Sequence, residues 1–367
     1  MITISLPASG IPIGNRDVDR GLQDQSHVSS VSAVLGCLDV CAIYVYWPSS
    51  MDVDAVLRVL SAVHGFPPKQ LGGTQINVYH VSKFVSKKCD LLVFTRDFDS
   101  SRPDYEEYVE TVDGIRVYRI NSVNSARPFS YTYSDPRITD AFDRVVKRFR
   151  PDVVHVGHVF ELSTDMISRA KAHGIPIVLT LQDFFFICHR IYLIDIKQNL
   201  CSGPEDGSKC ADCIRPDARW DIERWKTEHN PDRNELNREN ELLRQLGRER
   251  LDNTLAALRI PDVILCPSEF TKSRFTEFGI PAEKIHISPP GIDKSFLSKT
   301  RPPSGDRMIR FGFIGVISSH KGLHTLIEAI ALLPRQSASL EIFGWVNSRA
   351  TKLYRMQLNN QSSFSVS

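Results

Sequence analysis

"PDVVHVGHVFELSTDMISRAKAHGIPIVLTLQD", residues 151–183, holds two short apolar runs, 153–157 and 176–181, around a helix-length amphipathic segment at 161–173. Short runs rich in Val, Ile and Leu read as buried strands. A strand, a helix and a second strand in succession form the repeating unit of a parallel sheet with helices on both faces. Each run ends in polar residues: His158 follows the first, and Gln182 and Asp183 follow the second. Ligands of such sheets sit at the carboxyl ends of the strands, so this one stretch predicts a fold and the edge that carries its site.

The same pattern extends in both directions. Apolar runs recur at 56–63, 89–96, 115–121 and 263–268, with amphipathic segments at 75–87, 136–149 and 269–278. Residues 1–54 carry polar stretches such as "GNRDVDRGLQDQSHVSS" without a clear period, which predicts a poorly ordered leader around one short apolar element. Residues 217–259 are highly charged, with Leu236, Leu243, Leu246, Leu251, Leu255 and Leu258 near helical spacing. They predict one long helix with a narrow apolar stripe, either packed on the domain edge or facing a partner or a membrane surface. Residues 288–307 are dense in Pro, Gly and Ser and read as a linker. The pattern then restarts with strands at 308–314 and 339–343, a helix at 322–333 and a last helix from about 347. That is the opening of a second unit of the same type.

Composition narrows the function classes. A chain of 367 residues with 42% hydrophobic content can bury a large core and spans about two domains. The net charge of +2, from 45 basic and 43 acidic residues, does not favour nucleic acid as a partner. No stretch approaches the ~18 to 20 apolar residues of a membrane span; the best, residues 34–47, contains Asp39. The expected location is cytoplasmic, with peripheral attachment at the inner membrane face left open. Eight cysteines in so long a chain do not suggest a disulfide framework, and Cys37, Cys41, Cys89 and Cys266 read as small core hydrophobes.

Four stretches could carry chemistry. In "FGFIGVISSHKG", 311–322, a strand ends at Gly315 and a helix begins near Lys321 or Gly322. That places backbone N–H groups, a helix dipole and a lysine charge together, which suits a diphosphate and equally suits a structural turn with a solvated lysine. Gly72 and Gly73 precede the next helix-length segment, either for close backbone approach of a ligand or as a flexible turn. At the tips of the quoted strands, Asp183 and His158 are candidate polar groups of a site, although a lone histidine is often a hydrogen-bonded structural residue. Phe184, Phe185 and Phe186 read as wall or core. Finally Cys188, Cys201, Cys210 and Cys213 fall within 26 residues and include a C-x2-C knuckle. They read as a structural zinc site with His189 as an alternative ligand, as free thiols, or as disulfides.

Together these stretches resemble the retaining glycosyltransferases of family 4, which have the two-domain GT-B fold. The likeness covers about residues 55–345 and rests on "GFPPKQLGGTQINVYHVSKFV", "PDVVHVGHVFELS", "GIPIVLTLQDFFFIC", "PDVILCPSEFTKSRFTEFGIPAEKIHISPPGID" and "FGFIGVISSHKGLHTLIEAIALLP". The resemblance implies an α/β architecture of two Rossmann-like, doubly wound parallel-sheet domains, the second incomplete. The expected divisions are a leader at 1–54, an acceptor-side domain at 55–300 and a donor-side domain at 301–367. It implies a nucleotide-sugar donor as substrate, a glycan or lipid-linked acceptor, and transfer without an obligatory cofactor. Lys321 and Gly315 would face the donor diphosphate, Gly72 and Gly73 the phosphates and reacting sugar, and Asp183 and His158 the acceptor.

The sequence departs from the family pattern in three places. Val316 stands where an arginine is common, and Gln182 and Gly157 stand where histidines are common. The family's downstream pair of glutamates, seven residues apart, has no counterpart after Trp345. The expectation is therefore a donor domain cut short and low activity of the chain as written. The alternative reading is a non-catalytic protein whose N-terminal domain binds a glycan, lipid or partner. A nucleotide-sugar epimerase of Rossmann type fits less well, because no G-x-G-x-x-G follows the first strand.

Overall fold

A computed structural model describes residues 2–5, 56–123, 126–229, 235–291, 309–334 and 337–344. The chain divides into a larger unit, Val31–Ser295, and a smaller one that joins Met1–Ser30 to Phe296–Ser367. The first strand, β1 (Ile2–Ser5), belongs to the smaller unit.

The larger unit begins with β2 (Arg58–Val63), α1 (Gly73–Val85) and β3 (Asp90–Asp97). A hairpin of β4 (Glu107–Val112) and β5 (Ile115–Asn121) follows, and α2 (Pro136–Phe149) then leads into β6 (Val153–Val156). Next come α3 (Asp165–Ala172) and β7 (Ile177–Thr180), then the helices α4 (Ala211–Ile214), α5 (Arg219–His229) and α6 (Glu235–Arg259). The unit closes with β8 (Val263–Cys266), α7 (Glu269–Thr276) and β9 (Ile285–Ile287).

These strands form one sheet in the order β4-β5-β3-β2-β6-β7-β8-β9, parallel except for β4. From β2 the chain first winds to one side, through β3 and β5, then crosses back to β6 and continues the other way. The reversal leaves a crevice at the carboxyl ends of β2 and β6, because the loops that follow these neighbouring strands diverge there.

Alternation along β2 explains the two covering layers. Val59 and Val63 join Phe66 and Val78 on the α1 face, while Leu60 and Ala62 join Phe142, Val146 and Val154 on the α2 face. Helix α2 is strongly specified locally. Pro136 fills its first position, Asp135 Oδ1 accepts the N–H groups of Arg137 and Ile138, and Lys147 and Arg148 sit in the last turn. The loop between β2 and α1 is strapped from the neighbouring strands. Fully buried Arg119 donates to the Phe66 and Pro67 carbonyls, and Lys69 pairs with Asp97 at 2.6 Å. Burial works against ionisation of Asp97, but Lys69, Tyr108 and Gln70 outweigh it and bring its pKa down to about 2.

In the smaller unit β10 (Ile309–Ile314), α8 (Leu323–Ala331) and β11 (Ala338–Phe343) form a parallel crossover, and β1 pairs antiparallel with β11. Ile317, Leu323, Ile327, Ile330, Leu340 and Ile342 make its core.

One expectation changes, and three others fall partly or wholly outside the described residues. The strand expected nowhere in the leader is β1, the one part of 1–54 that is described, and its pairing partner lies more than 330 residues away. The single helix expected at 217–259 is described as α5 and α6, on either side of residues 230–234, which lie outside the described residues. Most of the expected linker and the helix from about 347 also lie outside them.

Candidate functional site

Three adjacent strands of the larger sheet end in ring or carboxylate side chains. His64 follows β2 directly, Gly157 and His158 follow β6, and Gln182 and Asp183 come two and three residues after β7. Because these strands are parallel and neighbouring, the three tips converge at the reversal of strand order.

The structure brings His158 and Asp183 together, with Nε2 at 3.0 Å from Oδ2. The Phe160 N–H donates to His158 Nδ1 at 2.9 Å, so the neutral ring carries its proton on Nε2 and donates it to the carboxylate. Asp183 Oδ1 accepts the Phe185 N–H at 2.9 Å. Both ring nitrogens of His158 are engaged, and its side chain is only 4% exposed, against 16% for Asp183. Asp183 is therefore the member of the pair that a ligand can reach, and His158 holds it in place.

His64, which the sequence reading passed over, lies against this pair. Its ring centroid is 4.5 Å from that of His158, and Nε2 is 2.8 Å from Gln75 Nε2. Burial, with the His158 ring and the Arg96 guanidinium nearby, holds its pKa well below the ordinary imidazole value. The signal was its position, immediately after a strand, like that of His158.

Gly72 and Gly73 differ from one another. Gly72 is the extended N-cap of α1, and a Cβ there would lie 2.4 Å from Gln75 Oε1. Gly73, the first residue of α1, has open space where its Cβ would be. Through Gln75 and His64 this turn connects to the His158–Asp183 pair. Beside it lies a small open cleft, with an accessible volume of about 30 Å³, lined by Asn77, Val78, His155, Thr180, Gln182 and Ser288. Asn77 Nδ2 donates to Gln182 Oε1 at 3.3 Å across it. A polar space of about 30 Å³ has room for one or two waters between these amides and hydroxyls.

Gly315 and Lys321 belong to the smaller unit. The Gly315 N–H donates to the Phe343 carbonyl at 2.9 Å, and a Cβ on Gly344 would lie 1.9 Å from the Gly315 oxygen, so only glycine fits after β11. Lys321 is exposed at the end of a single 3-10 turn, Ser319–Lys321. Gly322 follows at φ 70° and caps α8, whose first-turn N–H groups have no acceptor within the helix. A lysine and the positive end of a nine-residue helix thus share one turn.

Cys188, Cys201, Cys210 and Cys213 carry free thiols, and among the described residues no three His, Cys, Asp or Glu side chains are grouped to hold a metal ion. Burial raises the thiol pKa values of Cys188, Cys210 and Cys213, that of Cys210 to about 12. His189 is engaged elsewhere, at 2.8 Å from Asp217 Oδ2. The cysteine loop is seated on α6 by backbone contact. Gly207, at φ 95°, and Gly247 face each other so closely that a Cβ on either would lie 2.5 or 2.3 Å from the other's carbonyl oxygen.

No helix among the described residues is long and apolar enough to cross a membrane.

Comparison with known proteins agrees with this architecture. Residues 72–291 match the family described as "Glycosyl transferase 4-like domain". Among curated proteins, none matches the sequence. Among solved structures, Anabaena HepE in complex with UDP and glucose is 15% identical with a TM-score of 0.52, over 84% of this chain and 67% of that one. The catalytic domain of starch synthase IV from Arabidopsis thaliana, bound to ADP and acarbose, is 13% identical with a TM-score of 0.49, over 84% and 72%. The chain thus spans about two thirds of the length of HepE, and its likeness to that protein shows a shared fold, the mixed α/β architecture of GT-B glycosyltransferases. The family match includes Gly72, Gly73, His158 and Asp183 and covers more than half of the chain. The chain belongs to the glycosyl transferase 4-like domain family.

Proposed function

We propose that the chain is a nucleotide-sugar glycosyltransferase of the retaining type, with acceptor recognition in the larger unit and donor diphosphate recognition on the smaller. The observation that carries this reading is the His158–Asp183 pair at the reversal of strand order, inside the family-matched segment. In the reaction the bond from sugar C1 to the diphosphate oxygen breaks, and its electron pair leaves with the nucleoside diphosphate. An acceptor hydroxyl oxygen forms the new bond to C1 and passes its proton to the departing diphosphate oxygen. Asp183 accepts the hydrogen bond of that hydroxyl and orients it, while His158 Nε2–H keeps the carboxylate fixed. Lys321 and the first turn of α8 receive the growing charge of the leaving diphosphate, where a preorganised cation and aligned N–H groups stabilise it most. None of these roles asks for a metal or cofactor.

Calorimetric titration with UDP, GDP, UDP-glucose and GDP-mannose, combined with an assay of diphosphate release, tests the reading. The expected result is binding of one nucleotide series, weakened about tenfold or more by Lys321→Ala. Asp183→Asn should keep wild-type nucleotide affinity and lose turnover. Failure of every nucleotide to bind, or wild-type behaviour of both variants, overturns the proposal and leaves a glycan- or lipid-binding protein as the better account.

A further inference from the structure

Helix α6 reads from the sequence as a charged helix with one leucine stripe, and most of its side chains fit that description. Two do not. Arg250 is 4% exposed and Thr254 is fully buried. Four residues apart, they lie on one face, among the buried Leu243, Leu246, Leu251, Leu255 and Leu258.

Neither is there to complete an ion pair. Arg250 has no carboxylate within ion-pair distance among the described residues, and its Nε has no hydrogen-bond partner. Its Nη2 donates instead to the Phe185 carbonyl at 2.6 Å, and the guanidinium stands 5.1 Å from the centre of the Phe185 ring. Thr254 Oγ1 donates to the next carbonyl, that of Phe186, at 2.7 Å. A buried guanidinium without a carboxylate is costly, and a core that needed only volume would be served better by leucine or methionine. The groups in reach of its field are the Cys188 and Cys210 thiols, the Tyr133 phenol and Asp183.

What Arg250 and Thr254 grip is the turn that immediately follows Asp183. Phe185 is bound at both ends: its carbonyl receives Arg250, and its N–H donates to Asp183 Oδ1. Its ring also lies 5.5 Å from that of His158. A continuous path therefore runs from Arg250 through Phe185 to Asp183, and from Asp183 Oδ2 to His158. Without the grip, the turn would keep the Phe184 N–H bond to the Ile191 carbonyl and its ring packing on Phe275 and Phe160, but would lose the side-chain donors to both the Phe185 and Phe186 carbonyls.

We infer that Arg250 and Thr254 are positioning residues of the candidate site: α6 clamps the Phe185–Phe186 turn so that the Asp183 carboxylate keeps its hydrogen bond to His158. The inference rests on the proposed role of Asp183, and it turns a helix that looks like edge packing into the back wall of the site.

The test reads the hydrogen bond itself. In the wild-type chain the His158 Nε2 proton, held by a carboxylate, should give a downfield proton NMR resonance that His158→Gln abolishes. In Arg250→Met the same resonance should disappear or exchange with solvent at least about tenfold faster, at temperatures where circular dichroism shows the fold intact. Thr254→Val should act in the same direction and Thr254→Ser should restore the wild-type signal. Once a donor is in hand, Arg250→Met should lower kcat at least about tenfold and leave the donor KM in place. A wild-type exchange rate in both Arg250→Met and Thr254→Val overturns the clamp, as does absence of the resonance from the wild-type chain. Should Arg250→Met not fold, Thr254→Val and Thr254→Ser decide it. Failure of all nucleotides to bind would remove the transferase reading without touching the resonance, so the two proposals fail separately.

Discussion

Strands β3 and β10 look alike in sequence and differ in burial. "DLLVFTRD" and "IRFGFI" are both apolar runs between polar segments. In the larger unit β3 is hydrogen-bonded on both edges, to β2 and β5, and seven of its eight residues are buried. Leu91 and Val93 face one core, Leu92 and Phe94 the other. Among the described residues strand β10 pairs only with β11, and Ile314 is 87% exposed. The difference lies in neighbours, not in residue type. A parallel strand is buried when a helix layer covers each face and a strand lies along each edge, and a hydrophobic run reports only that such neighbours are needed.

The strongest way to break this contrast is to remove the same kind of group from both settings. Phe142 of α2 is fully buried and meets the ring of Phe94 on β3 edge to face, with centroids 5.5 Å apart. Phe142→Ala should cost about 3 to 5 kcal/mol, since the site is packed from α2 and the sheet together and cannot collapse around the cavity. Ile314→Ala should stay within about 0.5 kcal/mol of wild type. Urea unfolding of the two variants gives the comparison directly. Equal losses would mean that the exposed face of β10 is covered in solution.

Acid should act next, and on the larger unit. His155 in β6 lies between Ser61 Oγ at 3.2 Å and Thr180 Oγ1 at 2.9 Å, and burial brings its pKa down to about 4. Above pH ~6.5 the ring is neutral in both the folded and unfolded chain. Below that value the unfolded chain takes a proton that the folded one refuses, so stability falls as the pH drops from about 6.5 to about 4. The shift corresponds to about 3 kcal/mol at most. His64 and His189, also held low by burial, act in the same direction. Thermal unfolding across this range should show the loss, and His155→Gln should flatten it. A flat wild-type profile would mean that the ring is solvated in the native state.

How much of this was legible in the sequence follows the same logic of neighbours. Helix α2 was, because its cap, proline and basic end are all local, and the expected 136–149 matches it. Strand β4 was not, because "EYVETV" lies at the sheet edge, where none of its residues is buried and Val109 and Thr111 are exposed. The Asp113–Gly114 pair, with φ 47° and 81°, was the hairpin signal that would have revealed it. His158 and Asp183 could be read as strand tips, but their contact could not, since it depends on β6 and β7 being neighbours. Arg250 and Thr254 were hidden for a different reason. In a helix already rich in charge, a buried arginine has no sequence signature, and only its burial sets it apart.

The smallest effects separate two glycines at the same sheet edge. Gly157 follows β6, and a Cβ there would lie 2.6 Å from Val78 Cγ2 and 3.5 Å from the Ala62 carbonyl, so the residue is small because α1 packs against the strand tip. Gly157→Ala should cost about 1 to 3 kcal/mol through overpacking, and the loss should be less than additive with Val78→Ala, which vacates the same space. Gly73 opens α1 with nothing within 4 Å of its missing Cβ. Gly73→Ala should therefore leave stability unchanged or raise it by up to about 1 kcal/mol, since alanine is the better helix former. If a substrate approaches the Gly73 backbone, the same variant should still lower turnover several-fold, because the space that packing leaves empty is the space a ligand would fill. A loss of stability in Gly73→Ala would instead make it a packing glycine like Gly157, and unchanged stability with unchanged turnover would remove it from the site.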